Sequence, residues 1–414
     1  MGGLAKDFGL LGNRQFLLLS AAQLCSNVGD WLFSLALFVL VGLRWHASPF
    51  AVGFALVCNL VPGMLLGPLA GALADRAPRK ALAVLSNVAC ALLLLAITRA
   101  ATLYEVYALL ALLGAAEALF SPAESGMLKD AVPDAQMQRA VAVRTAISQG
   151  TKLLAPALGG LLAAVLGALA PFYVDAASFA LAALLLLFLR ETGKAGQSSE
   201  PRREPLLRAA KEGAALIAKT PALRRLVALY ALILFGVNLV DSQLIVLLRG
   251  QPHAAAILGL CMAASGAGMA GTAAFFLRGR EYGAGRAMPF GAIAMGAGIA
   301  AEALCVALRW QAVVPGTVLV IGAGAALAFI PLQSALRRQV PSEWTGRVLG
   351  SVRSLGGLAV VGGPLLGGAL SAAIGPEREF LLSAALLLAV GTAALVLRYG
   401  RKGVVAGAEG VGGP

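Results

Sequence analysis

Gly71-Ala72-Leu73-Ala74-Asp75-Arg76-Ala77-Pro78-Arg79-Lys80 stands between two apolar runs, residues 49–73 and 81–98. A hydrocarbon core about 30 Å thick is crossed by roughly 20 apolar residues in helical form, so each run reads as a membrane span. The charged segment between them then reads as a cytoplasmic hinge. Gly71 would let one helix end lie close against a neighbour, and Asp75 would face the positive N-terminal end of another helix. Arg76, Arg79 and Lys80 would hold the connection on the cytoplasmic side.

The apolar pattern continues through the whole chain. Of its 414 residues, 59% are hydrophobic and 13% charged, more apolar surface than one soluble core can hide. Twelve spans are expected, at 15–43, 49–73, 81–98, 104–126, 140–168, 172–190, 223–248, 254–277, 287–308, 312–334, 347–374 and 379–398. The expected fold is an all-α polytopic membrane protein with twelve transmembrane helices in two six-helix halves.

The net charge of +13 reports topology rather than nucleic-acid binding, because the basic residues lie between spans and not on one folded module. Alternate connections, beginning with Lys6 and Arg14, hold 26 of the 33 Lys and Arg residues, and the opposite connections hold 5. That asymmetry places both termini in the cytoplasm of a multi-pass inner (plasma) membrane protein. Lys152 and Arg353 are read as lying inside spans. The five cysteines are scattered through apolar runs without paired spacing and read as small core residues. Residues 1–14 have no cleavage signal before a short apolar region, so the first run reads as a retained span.

Residues 191–222 form the one long polar connection. They divide the chain into an N-terminal half (1–190), a linker (191–222), a C-terminal half (223–400) and a tail (401–414). From Pro205 to Thr220 the linker is read either as an amphipathic helix on the anionic inner leaflet or as a solvated segment. The halves repeat. Arg14, Asn27 and Asp30 recur as Arg225, Asn238 and Asp241 at one constant offset. Pro133, Arg139, Pro156, Gly159 and Gly160 recur as Pro341, Arg347, Pro364, Gly367 and Gly368 at another. A parallel duplication of six plus six spans accounts for both series, and such halves rock about a central site.

The hinge resembles the loop between the second and third helices of the major facilitator superfamily, with Pro78 in place of that pattern's last glycine. The resemblance narrows through Asn27-Val28-Gly29-Asp30-Trp31, Phe120-Ser121-Pro122 and Phe172-Tyr173-Val174-Asp175 toward twelve-helix exporters related to macrolide-efflux proteins and the enterobactin exporter. Lysophospholipid transporters share part of the signal. Ala155-Pro156-Ala157-Leu158-Gly159-Gly160 and Gly363-Pro364-Leu365-Leu366-Gly367-Gly368 resemble the antiporter motif of the fifth helix, Ala155 replacing its first glycine. Pro156 and Pro364 permit a bend, and Gly159, Gly160, Gly367 and Gly368 a close backbone approach, as a gate requires.

Ser20, Gln23, Asn27, Asp30 and Ser34 fall on one stripe of the first span. A polar stripe faces neighbouring helices or a water-filled cavity, and Asp30 near mid-span favours the cavity. An unpaired acid at that depth costs about 2.5–3.5 kcal/mol on insertion scales, so it needs a basic partner, a bound proton or water. Gly114, Glu117, Ser121 and Glu124 share a face of the fourth span. Glu124 is read either as a cavity residue or as a helix-end acid paired with Lys129 or Arg139. Lys152 is a candidate partner for Asp30 or Glu117, whereas Arg353 snorkels toward the cytoplasm. Asp175 and Glu302 are placed near the outer face, with interfacial solvation and a structural role. In the seventh span Asn238, Asp241, Ser242 and Gln243 are candidate substrate contacts.

No phosphate-binding loop of the Gly-x-x-x-x-Gly-Lys type occurs, and His46 and His253 fall in external connections. Neither an enzyme site, a cofactor nor a metal centre is expected. The expected function is secondary transport: proton-coupled export of small amphipathic or cationic organic molecules by a monomer in membrane lipid. Asp30, Glu117 and Lys152 would carry the coupling, and Gln23, Asn27, Ser121, Glu124, Asn238 and Asp241 would line the substrate cavity. A lipid translocator and a non-transporting sensor are the alternatives.

Overall fold

The computed structural model describes Leu10 and residues 12–190, 206–277, 283–340 and 342–396. The first six long helices are α1 (Arg14–Phe38), α2 (Pro49–Arg76), α3 (Arg79–Ile97), α4 (Leu103–Ala131), α5 (Asp134–Leu166) and α6 (Ala170–Leu187). They are followed by a linker helix, α7 (Leu206–Lys219), then by α8 (Pro221–Asp241) and the short α9 (Leu244–Leu247). The remainder are α10 (Ala254–Leu277), α11 (Ala284–Ala307), α12 (Val314–Gln339), α13 (Ser342–Ile374) and α14 (Pro376–Val396). Among the described residues, 11 helices are long and apolar enough to cross a membrane. The twelfth expected span corresponds to α5, whose apolar turns are interrupted by Arg139, Arg144, Gln149 and Lys152.

Local chemistry sets the helix ends. Asn13 caps α1, its Oδ1 accepting from the backbone N–H of Gln15 at 3.0 Å and of Phe16 at 3.2 Å. Its Nδ2 donates to the Ala131 carbonyl at the last turn of α4, 2.7 Å away, so one side chain serves two helix termini. Thr102 caps α4 by accepting from Glu105 N–H, and the Glu105 carboxylate reaches back to Ala101 N–H at 2.9 Å. Past α1 the helix widens into a π-helical turn, Val39–Arg44. His46, in the connection that follows, and His253, in the connection before α10, both take positive φ, 46° and 58°.

The chain divides into two compact units, residues 1–47 with 54–201, and residues 48–53 with 202–414. The first residues of α2 thus count with unit 2 and the rest of that helix with unit 1. The repeat is visible in the backbone: α5 and α13 are each 33 residues long, and each is followed by a glycine of positive φ, Gly167 and Gly375. These two glycines stand at the same spacing that relates Pro133 to Pro341.

At the basic end of unit 1, Leu19, Ala22, Ala74, Leu82, Ala123, Met127, Ala182 and Leu186 form one apolar core. In unit 2, Tyr230 on α8 stacks edge-on against Phe329 on α12 at 5.7 Å. The linker segment forms a helix, α7, and one side of it packs on α13. Gly213 of α7 lies against the Arg347 backbone and the Ser351 hydroxyl of α13, and Glu212 pairs with Arg347 at 3.1 Å. Arg347 also sits 4.9 Å above the Trp344 ring.

Candidate functional site

Three acids converge in unit 1 from α1, α4 and α6. Ser86 of α3 donates to the Ala116 carbonyl at 2.7 Å, bringing α3 against the α4 turn that carries Glu117. Asp30 on α1 lies within electrostatic reach of both Glu117 and Glu124, and Asp175 on α6 within reach of Asp30 and Glu117. Asp30 and Glu117 are half-buried, whereas Asp175 is only 1% exposed. No basic side chain pairs with Asp30, Glu117 or Asp175 among the described residues. The side chain of Lys152, the expected partner, lies outside the described residues.

Burial of Asp175 removes the solvation expected of it, although it does lie near the first turns of α6. Its position depends on Gly29: a Cβ there would run into Asp175 Oδ1 and the Ser178 hydroxyl, so only glycine lets α6 approach α1 this closely. Phe33 and Phe172 pack edge-on at 5.9 Å in the same helix contact. Glu302 on α11 needs the same correction, being 2% exposed.

The polar stripe of α1 divides by role. Gln23 Nε2 donates to the Arg144 carbonyl at 3.4 Å, and the Ser34 hydroxyl to the Asp30 carbonyl of its own helix at 2.8 Å. The Asn27 amide nitrogen has no hydrogen-bond partner among the described residues. Ser121 is exposed on α4. Glu124 is paired with neither Lys129 nor Arg139. Its partner is Arg144 on α5, and the two side chains are 13% and 11% exposed. Arg144 falls within the run 140–168, although only Lys152 and Arg353 are read from the sequence as cations inside spans. Arg353 is exposed on α13.

The hinge is anchored through its bases. Arg79 pairs with Asp130 at 2.8 Å, and Lys80 Nζ donates to the Leu189 carbonyl just beyond α6, also at 2.8 Å. Both contacts place a cation at the C-terminal end of a helix, where the backbone dipole is negative. Arg76 is exposed. Gly71 does not serve a close helix contact, since a Cβ there would meet nothing within 4 Å. The Asp75 side chain lies outside the described residues.

The paired glycines of α5 and α13 act inside their own units. Gly159 lies on Leu32 of α1, where a Cβ would be 3.0 Å from Leu32 Cδ2. In unit 2, Gly363 lies on Asn238, Gly367 on the Leu239 backbone, and Gly368 on Pro49 and Phe50. Pro364 packs against Gly53. The surroundings of Pro156 and Gly160 lie outside the described residues. Asn238 is absorbed by packing, its Nδ2 donating to the Leu234 carbonyl at 2.8 Å. Gln243, fully buried, donates to the Pro49 carbonyl at 3.2 Å and the Ser242 hydroxyl at 3.1 Å. Asp241 ends α8 as an exposed residue within electrostatic reach of Glu302.

Two units of long apolar helices, one carrying clustered acids at the middle of its spans, define a multi-pass membrane transporter. The sequence pattern of the Major Facilitator Superfamily matches residues 19–364, and the chain belongs to that family. It is 34% identical over 396 residues to the uncharacterized MFS-type transporter YfiS of Bacillus subtilis (strain 168), covering 91% of this chain and 92% of that one. It is 26% identical over 402 residues to the multidrug efflux pump Tap of Mycolicibacterium fortuitum, covering 92% and 95%. Among solved structures, a POT family transporter in complex with 5-aminolevulinic acid superposes with a TM-score of 0.72 at 12% identity, covering 93% of this chain and 96% of that one. The D323A mutant of the nucleoside transporter NupG superposes at 0.69 and 16% identity, covering 92% and 98%. These likenesses establish the fold.

Proposed function

We propose that the protein exports small amphipathic or cationic organic molecules in exchange for protons, by alternating access across the inner (plasma) membrane. Its termini are cytoplasmic and its working form is a monomer. The observation that carries this reading is the approach of Asp30 to Glu117 within one unit, with no basic partner among the described residues. Partly buried carboxylates with no counter-charge among the described residues are costly in apolar surroundings and are relieved by binding a proton. Unlike Glu124, which Arg144 holds, Asp30 and Glu117 are available for exchange. Similarity to a protein named a multidrug efflux pump supports an organic cargo and outward movement.

The driving force is sufficient. A proton entering across about 100 mV contributes about 2.3 kcal/mol, and each pH unit adds about 1.4 kcal/mol. Together these sustain roughly a 500-fold substrate gradient. The test is ethidium uptake into inverted vesicles with and without an imposed pH gradient. Wild type accumulates the dye only with the gradient, and Glu117→Gln equilibrates it without accumulation. Accumulation by Glu117→Gln at the wild-type level would remove that acid from the coupling. Wild-type indifference to the gradient, together with movement of labelled lysolipid, would put a lipid translocator in place of the exporter.

A further inference from the structure

Asp175 is the most deeply buried of the three acids in unit 1, and neither the polar stripe of α1 nor that of α4 includes it. Its Oδ1 accepts from the Ser178 hydroxyl at 3.2 Å and is pressed against Gly29 of α1. Its Oδ2 has no hydrogen-bond partner among the described residues. The titratable groups that act on it from the surrounding helices are Asp30 of α1 and Glu117 of α4, and the Cys90 thiol of α3 is within electrostatic reach of the same three acids. Beside them the Asn59 amide of α2 is buried against Glu117, close enough to act as a donor toward its carboxylate.

A packing role does not account for this arrangement. An acid chosen only to join α6 to α1 would present both oxygens to donors, because an unpartnered buried oxygen carries the full cost of desolvation. Asp175 instead leaves one oxygen bare among the described residues and lies within electrostatic reach of two other acids. We propose that Asp175 is a third proton-exchanging carboxyl of this site, passing a proton to and from Asp30 and Glu117 during the transport cycle. In each transfer one carboxyl O–H bond breaks as another forms, and the total charge of the three acids is unchanged. Their charge changes only when a proton enters or leaves through the half-exposed Asp30 and Glu117. Asp175 thus stores a proton away from solvent while the other two face substrate. Gly29 and Ser178 are positioning residues that set its approach.

This inference rests on the proton-coupled reading, and the experiment separates the two. Wild type, Glu117→Gln, Asp175→Asn and Asp175→Ser are reconstituted, and ethidium accumulation under a pH gradient is divided by ethidium exchange without one. The pH midpoint of exchange is recorded as well. Both Asp175 variants should lower the ratio by about tenfold and move the midpoint by about one pH unit. If the ratio and midpoint match wild type while Glu117→Gln loses accumulation, Asp175 is a packing residue and the proton-coupled reading stands. If wild type itself accumulates nothing under the gradient, both ideas fall together. Asp175→Ser guards against misfolding. Unit 2 carries Ser383 at the corresponding position, buried, with its hydroxyl donating to the Gly236 carbonyl of the adjoining helix at 2.6 Å.

Discussion

Counted back from Pro133 and Pro341, Gly114 of α4 and Gly322 of α12 occupy corresponding positions, and each meets the same kind of neighbour. A Cβ on Gly114 would strike the Asn59 backbone of α2, and one on Gly322 the Ser265 backbone of α10. Three residues further along, the correspondence ends: unit 1 has Glu117 and unit 2 has Ala325. Glu124 likewise faces Leu332 in the repeat, and Asp175 faces Ser383. Duplication has therefore kept these close helix contacts in both units, while of the acids only Asp30 has an acidic counterpart, Asp241 at the exposed end of α8. Unit 2 has buried acids of its own, Glu302 on α11 and Glu379 in the first turn of α14, but they occupy different helices. Scaffold and chemistry have separated, and their separation can be tested.

The largest expected contrast is between Glu117→Gln and Glu302→Gln. If coupling resides in unit 1, the first variant loses gradient-driven accumulation entirely and the second keeps it, as measured by dye uptake into inverted vesicles. The reverse result would transfer the chemistry to unit 2. Next in size is a contrast within unit 1. Glu124→Gln leaves the Arg144 guanidinium nearly buried without its counter-charge, a loss of about 3–5 kcal/mol. Asp130→Asn breaks the more exposed pair with Arg79 and should cost at most about 1 kcal/mol. Thermal unfolding of the two variants in the same detergent measures the difference, and equal shifts would show that burial does not set the strength of these pairs.

Much of this organisation is legible in the sequence, for physical reasons. Long apolar runs announce spans because a bilayer demands about 20 such residues, and the acids of α1 and α4 announce themselves because a polar residue every third or fourth position marks one helical face. Asp175 escapes both signals. It stands alone in an apolar run, near an end, and hydropathy does not reveal that Gly29 on another helix makes room for it. The burial of Glu302, likewise near a helix end, is equally invisible to hydropathy. Arg144 is obscured differently, since α5 alternates charged and apolar turns and gives no sharp boundary between span and connection. For the hinge, residue order gives the topology of the charges, but the contacts with Asp130 and the Leu189 carbonyl depend on where α4 and α6 end.

A third pair of variants tests the shared scaffold. Gly114→Ala and Gly322→Ala each force a methyl group toward a backbone carbonyl, a steric conflict of about 1–3 kcal/mol. Both should lower the unfolding temperature by similar amounts, and a loss confined to one would show that the repeat no longer packs alike.

The smallest expected effect concerns α7, the helix of the linker. Glu212 and Arg347 are each about a third exposed, so their attraction is largely screened and contributes at most about 1 kcal/mol. Gly213 makes the firmer contact, because its missing side chain admits the Arg347 backbone and the Ser351 hydroxyl. Glu212→Gln should therefore raise hydrogen exchange in α7 by no more than about fivefold, whereas Gly213→Val should release the helix and bring its amides close to the exchange of an isolated peptide. A large effect of Glu212→Gln with little from Gly213→Val would mean that charge, and not shape, docks the linker on α13. The contact would then weaken with added salt, and repeating the exchange at about 1 M salt, where the screening length falls to about 3 Å, would separate the two causes.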